Sequence, residues 1–569
     1  MIHLKKQYTI SAYLLDRLHE LGIEHIFGVP GDYNLAFLDD VVAHENLKWI
    51  GNCNELNAAY AADGYARIKG IAALITTFCV ALITTFGVGE LSAINGIAGS
   101  YAENVPVIKI TGTPPTKVME NGAIVHHTLG DGKFDHFSNM YREITIAQTN
   151  VTPEHAAEEI DRVLRACWNE KRPVHINLPI DVYNKPINKP TEPIINKPIL
   201  SNKEALNKML LHAISKINSA KKPVILADFE VDRFHAKENL HQFVEKTGFP
   251  IATLSMGKGI FPEKQPQFIG VYTGDVSSPY LRKRIDESDC IISIGVKLTD
   301  TITGGFTQGF TKEQVIEIHP YTVKIIDKKY GPVVMQDVLQ HLSDSIEHRN
   351  KDTLDVKPFI LESSPFTEEF IPKAQMVTQK RFWQQMYHFL QENDVLIVEQ
   401  GTPFFGSAAI PLPNNTAYVG QPLWGSIGYT LPALLGTQLA NLSRRNILII
   451  GDGSFQVTVQ ELSTILRQNL KPIIFLINNN GYTVERAIHG QNQPYNDIQM
   501  WDYNKLSMVF GAEEKSLTFK VENESELAEV LTNITFNKNQ LIFIEVIMSQ
   551  SDQPELLAKL GKRFGQQNS

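Results

Sequence analysis

Short apolar runs alternate with longer amphipathic stretches along almost the whole chain, a pattern typical of strands that alternate with helices. The apolar run at 447–450 predicts a strand that is buried on both faces. Apolar positions at helical spacing follow between Val457 and Leu466, and a second apolar run at 473–477 predicts the next strand. We therefore expect a βαβ crossover here, the unit from which parallel sheets are built.

The same alternation occurs in the other parts of the chain, for example around the apolar run at 223–227. With 569 residues, too many for one core, it predicts an α/β protein of three doubly wound domains with mainly parallel sheets. Polar, proline-containing stretches at 184–198 and 349–373 are predicted to connect the domains. The expected domains are N-terminal (1–185), central (199–350) and C-terminal (374–569).

Polar residues follow both strands of the predicted crossover. Asp452 lies in the turn GDGS at 451–454, where Ser454 can cap the next helix, and Asn479 lies in the turn NNNG at 478–481. Because ligands bind at the carboxyl ends of parallel strands, these oxygen atoms suit Mg²⁺ that holds a diphosphate. The alternative is a plain crossover whose polar residues only form turns. The GDGS turn alone favours that alternative, and the additional NNNG turn reverses the preference.

Candidate acid–base groups lie in the first third of the chain. Asp32 follows a short predicted strand, and Glu55 lies in the first turn of an alanine-rich helix. Two adjacent histidines, His126 and His127, come later. A carboxylate in an apolar setting can have a raised pKa and share a proton with a ligand. Each group also has an ordinary interpretation, as a helix N-cap, a partner of the helix dipole and a surface polar pair respectively.

One strand sequence occurs twice in tandem, as ALITTFCV at 73–80 and ALITTFGV at 81–88. Side chains alternate with period two, so a shift of eight residues keeps the same residues facing the core, and either copy could form the strand. We place the second copy in the sheet, with Thr84 and Thr85 at its ligand-binding end and the extra residues between Lys69 and Val80. An unbroken strand from 73 to 86 would contradict this placement. The repeat puts folding and activity in doubt here more than elsewhere.

Composition and charge are ordinary for a globular protein, with 43% hydrophobic and 20% charged residues. The net charge of −9 is spread along the chain, with no basic block for nucleic acid or an anionic membrane. No apolar run approaches the roughly 20 residues of a membrane span, and the N-terminus lacks a signal-peptide pattern. The four scattered cysteines predict reduced thiols, and a cytoplasmic location is expected.

Several motifs occur in an order that resembles one enzyme family. They are GVPGD at 28–32, NCNELNAAYAADGYAR at 52–67, HHTLG at 126–130, and GDGS followed by NNNG. Together they resemble the thiamine diphosphate-dependent 2-keto acid decarboxylases, which include pyruvate, indolepyruvate, phenylpyruvate and branched-chain keto acid decarboxylases. The resemblance covers essentially the whole chain. It implies the thiamine diphosphate-binding fold, with pyrimidine-binding, central and diphosphate-binding domains in that order.

The resemblance also implies roles for the candidate residues. Asp452, Asn479 and the carbonyl of Gly481 would bind Mg²⁺, and Glu55 would hydrogen-bond N1′ of the cofactor's aminopyrimidine. The groups implied to handle protons are Asp32, His126, His127 and Glu485. Further cofactor contacts are implied for Thr85, Thr402, Gly425, Ile427, Gly453 and Ser454. For the wedge position Ile427, plain core packing is an equally good interpretation of the sequence.

The substrate pocket implied by the resemblance is apolar. Its lining would include Phe404, Phe405, Val484, Ile488 and Phe564, with Leu560 as a further candidate. Leu560 and Phe564 belong to an apolar stripe on a C-terminal helix, and such a stripe is more often core than pocket. Val484 has one methylene fewer than an isoleucine, which favours aromatic or branched-chain keto acids over pyruvate. One methylene discriminates by only about 1–3 kcal/mol, so the expectation is a preference.

We therefore expect non-oxidative decarboxylation of a 2-keto acid to an aldehyde and CO₂. The resemblance implies that the two halves of each site come from different subunits, in a homodimer or homotetramer. Pyruvate is an alternative substrate. A carboligating enzyme of the acetohydroxyacid synthase type shares the cofactor motif, although HHTLG and Glu485 argue for the decarboxylase. An inactive assembly subunit is the third possibility, because the duplicated strand makes loss of function easier.

Overall fold

The computed structural model of the protein describes residues 7–69, 79–195, 198–350, 354, 356–362, 366, 368–534 and 539–567. The chain folds as two compact units. The first unit is Met1–Pro198 with Gly428–Ser443 and Thr458–Leu470, and the second is Ile199–Ile427 with Arg444–Val457 and Lys471–Ser569. Three mainly parallel sheets with helices are present, which confirms the expected fold class. The three domain boundaries stay predictions.

Strands and helices alternate along the described chain. The strands are β1 (His25–Gly28), β2 (Lys48–Gly51), β3 (Val80–Thr85), β4 (Val107–Thr113), β5 (Gln148–Asn150), β6 (Val174–Pro179), β7 (Pro223–Ala227), β8 (Ile251–Thr253), β9 (Phe268–Val271), β10 (Cys290–Ile294), β11 (Val315–His319), β12 (Thr322–Ile325), β13 (Lys328–Tyr330), β14 (Val395–Val398), β15 (Ala417–Val419), β16 (Asn446–Gly451), β17 (Ile473–Asn478), β18 (Ser516–Val521) and β19 (Leu541–Ile547).

The helices with described bounds are α1 (Ile10–Glu20), α2 (Leu35–Ala43), α3 (Glu55–Lys69), α4 (Val88–Ala102), α5 (Thr116–Glu120), α6 (His136–Tyr141), α7 (Ala156–Glu170), α8 (Lys203–Ser219), α9 (Glu230–Arg233), α10 (Lys237–Thr247), α11 (Pro279–Asp286), α12 (Met335–Ser345), α13 (Phe359–Glu362), α14 (Gln379–Phe389), α15 (Thr402–Ser407), α16 (Thr430–Ala440), α17 (Asp452–Thr458), α18 (Glu461–Arg467), α19 (Thr483–His489), α20 (Leu506–Val509), α21 (Glu524–Ile534) and α22 (Glu555–Gln567). Among the described residues, none of these helices is long and apolar enough to cross a membrane.

The sheet of the first unit has six parallel strands in the order β2-β1-β3-β4-β6-β5. The central strand β3 contains residues 81–85 of the second copy, as predicted, preceded by Val80, and all six of its residues are buried. Cys79 lies outside the strand, so the strand does not run unbroken from the first copy. Residues 73–78 of the first copy lie outside the described residues.

Helix α3, which begins with Glu55, packs unusually closely against helix α16 within the first unit. A Cβ on Gly436 of α16 would lie 1.8 Å from the carbonyl oxygen of Ala61 on α3. In the other direction, a Cβ on Gly64 would lie 2.4 Å from the carbonyl oxygen of Ala433. Only glycine fits at such contacts, so small residues at these positions let α3 and α16 pack backbone to backbone.

The second unit contains the other two sheets. One has the order β13-β12-β11-β10-β7-β8-β9 and is parallel except for β12 and β13 at one edge. The other is fully parallel, in the order β15-β14-β16-β17-β19-β18. In this sheet β16 and β17 are neighbours, with Ile447 opposite Ile473. The predicted pair of strands and their parallel arrangement are therefore confirmed.

The helical part of the predicted crossover differs from expectation. Two short helices, α17 and α18, replace the single helix, and α17 begins at Asp452. Ser454 thus lies inside a helix, and its predicted role as an N-cap is wrong. Val457 is 45% exposed, whereas Phe455 is fully buried, so the apolar face of α17 is displaced from the predicted one. The helical phase changes because the chain makes a turn between α17 and α18.

Candidate active site

A cleft in the second unit opens beside the carboxyl ends of β14, β16 and β17, which are adjacent in their sheet. It offers about 150 Å³ of space to water-sized molecules. Eleven residues that the sequence singled out lie along it: Thr402, Phe405, Gly425, Ile427, Asp452, Gly453, Ser454, Asn479, Gly481, Val484 and Glu485. Residues from four separate chain segments are thus brought to one edge of the sheet, where parallel α/β folds bind their ligands.

The three predicted metal ligands converge inside this cleft. Asp452 is fully buried, and its carboxylate accepts hydrogen bonds from the backbone N–H groups of Gly453 (2.8 Å) and Gly481 (3.1 Å). With its amide nitrogen turned inward, Asn479 donates to the Gly481 carbonyl (3.0 Å) and to Asp452 Oδ1 (3.3 Å). In an octahedral Mg²⁺ site, neighbouring oxygen ligands are about 3 Å apart. When the amide is turned over, Asn479 Oδ1 takes the position of that nitrogen, and the three oxygen atoms then have the spacing that a hard divalent cation lying between them requires.

The electrostatics of Asp452 point to the same interpretation. Burial raises the pKa of its carboxyl group to about 6, although backbone N–H groups partly oppose the shift. A buried carboxylate that is costly to ionise alone gains most from a cation that coordinates it. The groups described around Asp452 therefore suit a metal ion that neutralises it.

Glu485 lies in the first turn of α19, on the same cleft as Asp452. Its side chain is exposed at the cleft surface, and partial desolvation by the cleft wall raises the pKa of its carboxyl group. A carboxylic acid that retains its proton to higher pH can act as a proton donor to a ligand. Glu485 and the predicted metal ligands thus lie on one cleft.

Gly425 and Ile427 also line the cleft. Ile427 is 38% exposed, so the core-packing interpretation of this residue is wrong. Gly425 has φ +69°, and a Cβ added to it would meet open space within 4 Å. The side chain of Ile427 is therefore free to contact a ligand, and the adjacent backbone adopts a conformation that favours glycine.

The predicted apolar pocket is only partly on the cleft. Phe405 and Val484 line it, whereas Phe404 is buried in the core, with its ring 5.5 Å from that of Phe405. Ile488 and Phe564 do not line the cleft but lie where α19 meets α22, since a Cβ on Gly565 would come within 2.5 Å of the Ile488 carbonyl oxygen. Leu560 is buried in the core, as the ordinary interpretation of the C-terminal stripe predicts.

The acid–base candidates of the first unit form a compact cluster. His126 Nε2 lies 2.5 Å from Asp32 Oδ2, and His127 Nε2 lies 3.6 Å from Asp32 Oδ1. Helix α2 is preceded by Asn34 as its N-cap, so the N-cap interpretation of Asp32 is wrong. Although the cluster is exposed to solvent, Asp32 bridges both imidazole rings, and the histidines are thus more than an unpartnered surface pair.

Glu55 and Thr85 come together at the end of β3. A Cβ on Gly89 would lie 3.1 Å from Glu55 Oε1 and 3.3 Å from the Thr85 methyl group. The Thr85 hydroxyl is buried and has no hydrogen-bond partner among the described residues. Buried polar groups are nearly always paired, so an unpaired hydroxyl beside a candidate carboxylate suits a bound polar ligand.

Family models match the chain in three places. Residues 8–136 match a model described as "Thiamine pyrophosphate enzyme, N-terminal TPP binding domain", and residues 210–342 match the central domain of the same enzymes. Residues 403–546 match the C-terminal TPP binding domain.

Curated relatives match over nearly the whole chain. A protein of Mycobacterium leprae named "Alpha-keto-acid decarboxylase" is 41% identical over 553 residues, which are 97% of this chain and 95% of that protein. Proteins of the same name from Mycolicibacterium paratuberculosis and Mycobacterium tuberculosis are 42% and 41% identical, each over 96% of its own length. The chain belongs to the thiamine diphosphate-dependent α-keto-acid decarboxylase family. The predicted family and its cofactor, thiamine diphosphate, are thereby confirmed, whereas Mg²⁺ stays a prediction.

One buried carboxylate of this decarboxylase-family chain was not identified as a candidate from the sequence. Glu461 on α18 accepts hydrogen bonds from the side-chain amides of Asn52 (2.8 Å) and Asn57 (2.9 Å), and burial raises the pKa of its carboxyl group. These two asparagines stand on either side of Glu55. Glu461 therefore fixes the start of the helix that carries Glu55, the candidate cofactor-binding glutamate, and nothing in its local sequence pattern marks that role.

A buried cluster of charged residues was also not predicted from the sequence. Lys109, in the middle of β4, donates to the Thr111 hydroxyl, which in turn contacts Glu90 Oε1 (3.4 Å) and His175 Nε2 (2.8 Å). All four residues are fully buried. Burial lowers the pKa of Lys109 to about 8, and Glu90 opposes that shift. A lysine inside an otherwise apolar strand was the available sequence signal, because buried charges are rarely unpaired.

At the cleft, Gln400 is a further candidate that the sequence did not suggest. It lines the cleft directly after β14, and its side-chain oxygen is buried without a hydrogen-bond partner among the described residues. An unpaired buried acceptor costs free energy unless a ligand or water donates to it. Gln400 can therefore accept a hydrogen bond from a bound cofactor.

Proposed function

We propose that this protein catalyses the non-oxidative decarboxylation of a 2-keto acid to an aldehyde and CO₂, with thiamine diphosphate and Mg²⁺ as cofactors. The observation that carries the proposal is the convergence of Asp452, Asn479 and the Gly481 carbonyl in the cleft that also contains Glu485. Family membership over nearly the whole chain supports the same activity.

The turns that follow β16 and β17 would bind the diphosphate of the cofactor. Asp452, Asn479 and Gly481 would hold the metal, and the positive end of the helix dipole at the start of α17 favours an anion nearby. When bound, thiamine diphosphate supplies the electron sink for the electron pair released as CO₂ leaves. Glu55 would hydrogen-bond the cofactor's pyrimidine ring, and Thr85 would direct its unpaired hydroxyl to the same ligand.

Protons are handled by two groups of residues. In the first unit, Asp32 orients His126 through Nε2, so that the imidazole can hold or release a proton at that atom. In the second unit, Glu485 has a raised pKa and can deliver a proton from its carboxyl oxygen to the carbon that has lost CO₂.

Substrate preference follows from the apolar wall. Val484 and Phe405 line the cleft, and valine leaves more room there than isoleucine would. We therefore favour phenylpyruvate, indolepyruvate or a branched-chain keto acid over pyruvate. A difference of one methylene corresponds to about 1–3 kcal/mol, that is, roughly 5- to 150-fold in relative kcat/KM.

A substrate panel tests the proposal. Aldehyde formation is measured with phenylpyruvate, indolepyruvate, ketoisovalerate and pyruvate, in the presence of thiamine diphosphate and Mg²⁺. The matched variant Val484→Ile should shift kcat/KM toward pyruvate relative to the larger acids. Acetohydroxy acid formation together with a bound flavin would instead indicate the carboligating alternative. Absence of thiamine diphosphate binding by calorimetry would overturn the enzyme interpretation and leave the inactive assembly subunit.

The active unit that we propose is at least a homodimer, with homotetramer as the larger candidate. Support comes from the family resemblance, in which the halves containing Glu55 and Asp452 belong to different subunits. Light scattering after size exclusion, with and without cofactor, measures the state, and a catalytically active monomer would contradict the proposal. A cytoplasmic location also stays a prediction, supported by four free cysteines and tested by cell fractionation.

A further inference from the structure

The Asp32–His126–His127 cluster has the geometry of an incomplete metal site. Its three ligand atoms, one from each side chain, all lie within 4.8 Å of one another. Both histidines direct Nε2 toward the same carboxylate, at 2.5 Å and 3.6 Å from its two oxygens. In a tetrahedral zinc site with ligand distances of about 2.0–2.1 Å, neighbouring ligand atoms are roughly 3.3 Å apart. Movements of less than about 1 Å would therefore convert this cluster into a three-ligand site.

The donor set selects a class of metal. Two imidazole nitrogens and one carboxylate oxygen suit Zn²⁺, Cu²⁺ and Ni²⁺, whereas Mg²⁺ prefers oxygen ligands alone. The cleft around Asp452 offers such an oxygen-only set, so the two sets of ligands should differ in the metals they bind. Solvent exposure of His126 and Asp32 leaves room for an incoming ion and for a water molecule as the fourth ligand.

The rings are held in place before any metal arrives. Tyr33 stacks on the His126 ring at 5.0 Å between centroids with an angle of 12°, and its ring edge also meets His127 at 6.2 Å. The backbone of His127 has φ +61°, and the Thr128 hydroxyl donates a 2.6 Å hydrogen bond to the Val125 carbonyl. Orientation of ligands by surrounding contacts raises metal affinity because less freedom is lost on binding.

We propose that Asp32, His126 and His127 form a binding site for a transition-metal ion of the Zn²⁺ class, and that its occupation inhibits the enzyme. Binding places the metal on the Nε2 atoms of both histidines. Those nitrogens can then no longer take up or release protons. The inhibition rests on the proposed function, whereas metal binding does not depend on it.

Binding is tested on the cofactor-free full-length protein with Co²⁺, whose visible absorption reports tetrahedral coordination, and with Zn²⁺ as the displacing ion. A matched control is available in His136, which pairs with Asp131 at 2.7 Å in the same unit but has no third ligand among the described residues. We expect His126→Gln and His127→Gln each to weaken Zn²⁺ binding at least tenfold, and His136→Gln to leave it unchanged. Equal affinity in all variants, or no Co²⁺ absorption in the wild type, would overturn the site. Circular dichroism confirms that the exposed substitutions leave the fold intact.

Inhibition is tested separately with the holoenzyme in excess Mg²⁺. Zn²⁺ should suppress decarboxylation of phenylpyruvate at concentrations that saturate the site, and a chelator selective for zinc over magnesium should restore it. Unchanged activity of a zinc-saturated enzyme would overturn the inhibitory role. Complete inactivity of the zinc-free enzyme on every keto acid would instead count against the proposed function, and the Co²⁺ experiment would still decide the metal site.

Discussion

The side-chain amide of Asn57 donates a 2.9 Å hydrogen bond to Glu461, a residue 404 positions away in the chain. Asn52 donates to the other carboxylate oxygen of Glu461 at 2.8 Å. Glu55 lies between the two asparagines, at the first residue of α3. A single buried carboxylate on α18 thus determines how the chain enters the helix that carries the candidate cofactor-binding glutamate.

Replacing Glu461 by alanine should destabilise the protein and weaken cofactor binding. Each of the two amides left without an acceptor costs about 1–3 kcal/mol, so we expect a loss of roughly 2–6 kcal/mol in the free energy of unfolding. Glu461→Gln keeps one acceptor and should lose less. Urea unfolding of the cofactor-free protein and calorimetry with thiamine diphosphate measure the two effects. Glu158→Ala, at an exposed position, serves as a control that should change neither; an equal response of both variants would contradict the role.

Asp452 should make the cofactor-free protein less stable as the pH rises. Its folded-state pKa of about 6 lies above the ordinary value of 3.8, so unfolding releases a proton between those values. Stability is therefore lost as the pH rises from about 4 to 6, and the loss reaches about 3 kcal/mol above pH 6. Asp452→Asn cannot ionise, and its advantage over the wild type should grow across this window. Urea unfolding at pH 5 and pH 7.5 measures it, and a constant difference would contradict the prediction.

The same substitution should impair cofactor binding. Removing one of three candidate metal ligands should weaken the affinity for thiamine diphosphate in Mg²⁺ at least tenfold, with loss of decarboxylation. A protein that is more stable without cofactor and binds cofactor poorly would show that this carboxylate is retained for function. Normal affinity in Asp452→Asn would remove it from the set of metal ligands.

The buried Lys109 should be energetically coupled to Glu90. Lys109→Met leaves the buried Glu90 carboxylate without its compensating charge, and such changes cost about 3–5 kcal/mol. The double variant Lys109→Met/Glu90→Gln removes both charges and should recover much of that loss. Urea unfolding of the wild type, both single variants and the double variant gives the coupling energy. Additive effects of the two substitutions would show that the residues act independently.

Deleting residues 73–80 should leave fold and cofactor binding intact. Residues 81–85 of β3 are retained, with Ala72 in the place of Val80, and shortening the chain between α3 and β3 changes the free energy of unfolding by only about 1 kcal/mol. Deleting 81–88 instead gives a protein of the same length that differs at one position, with Cys79 where Gly87 stood. A Cβ on Gly87 would lie 1.9 Å from the His127 carbonyl oxygen, and the residue has φ +63°, so this control should be strongly destabilised. Thermal unfolding compares the two proteins, and equal stability would contradict the role of the glycine.

Periodicity and motif order were sufficient to predict much of the fold and of the cleft. The apolar runs at β16 and β17 predicted their burial and pairing, because strands buried on both faces have few alternatives. The polar turns that follow them then had to meet at one sheet edge. The prediction of which helix face is buried after Asp452 was wrong, because the turn between α17 and α18 contains no glycine or proline that would mark it in the sequence.

Contacts between residues that are far apart in the chain could not be predicted from the sequence. Glu461 follows its asparagine partners by about 400 positions, and no local pattern links them. Phe404 and Phe405 are adjacent and chemically identical, so only the helix phase of α15 decides which one reaches the cleft. For the repeat, the strand residues of the two copies are the same, and the choice between them depends on the turn that follows.

Because the glycine turn follows only the second copy, the order in which the two copies are synthesised matters for folding. The copy at 73–78 leaves the ribosome before the copy at 81–86, while the neighbouring strand β1 has already been synthesised. During synthesis, the segment that lacks the glycine turn is thus offered to β1 first. When full-length chains refold from denaturant, both copies compete at once. Nascent and refolding chains therefore begin from different competitions for the same place in the sheet. In both, only the copy followed by Gly87 can form the turn with φ +63° without strain.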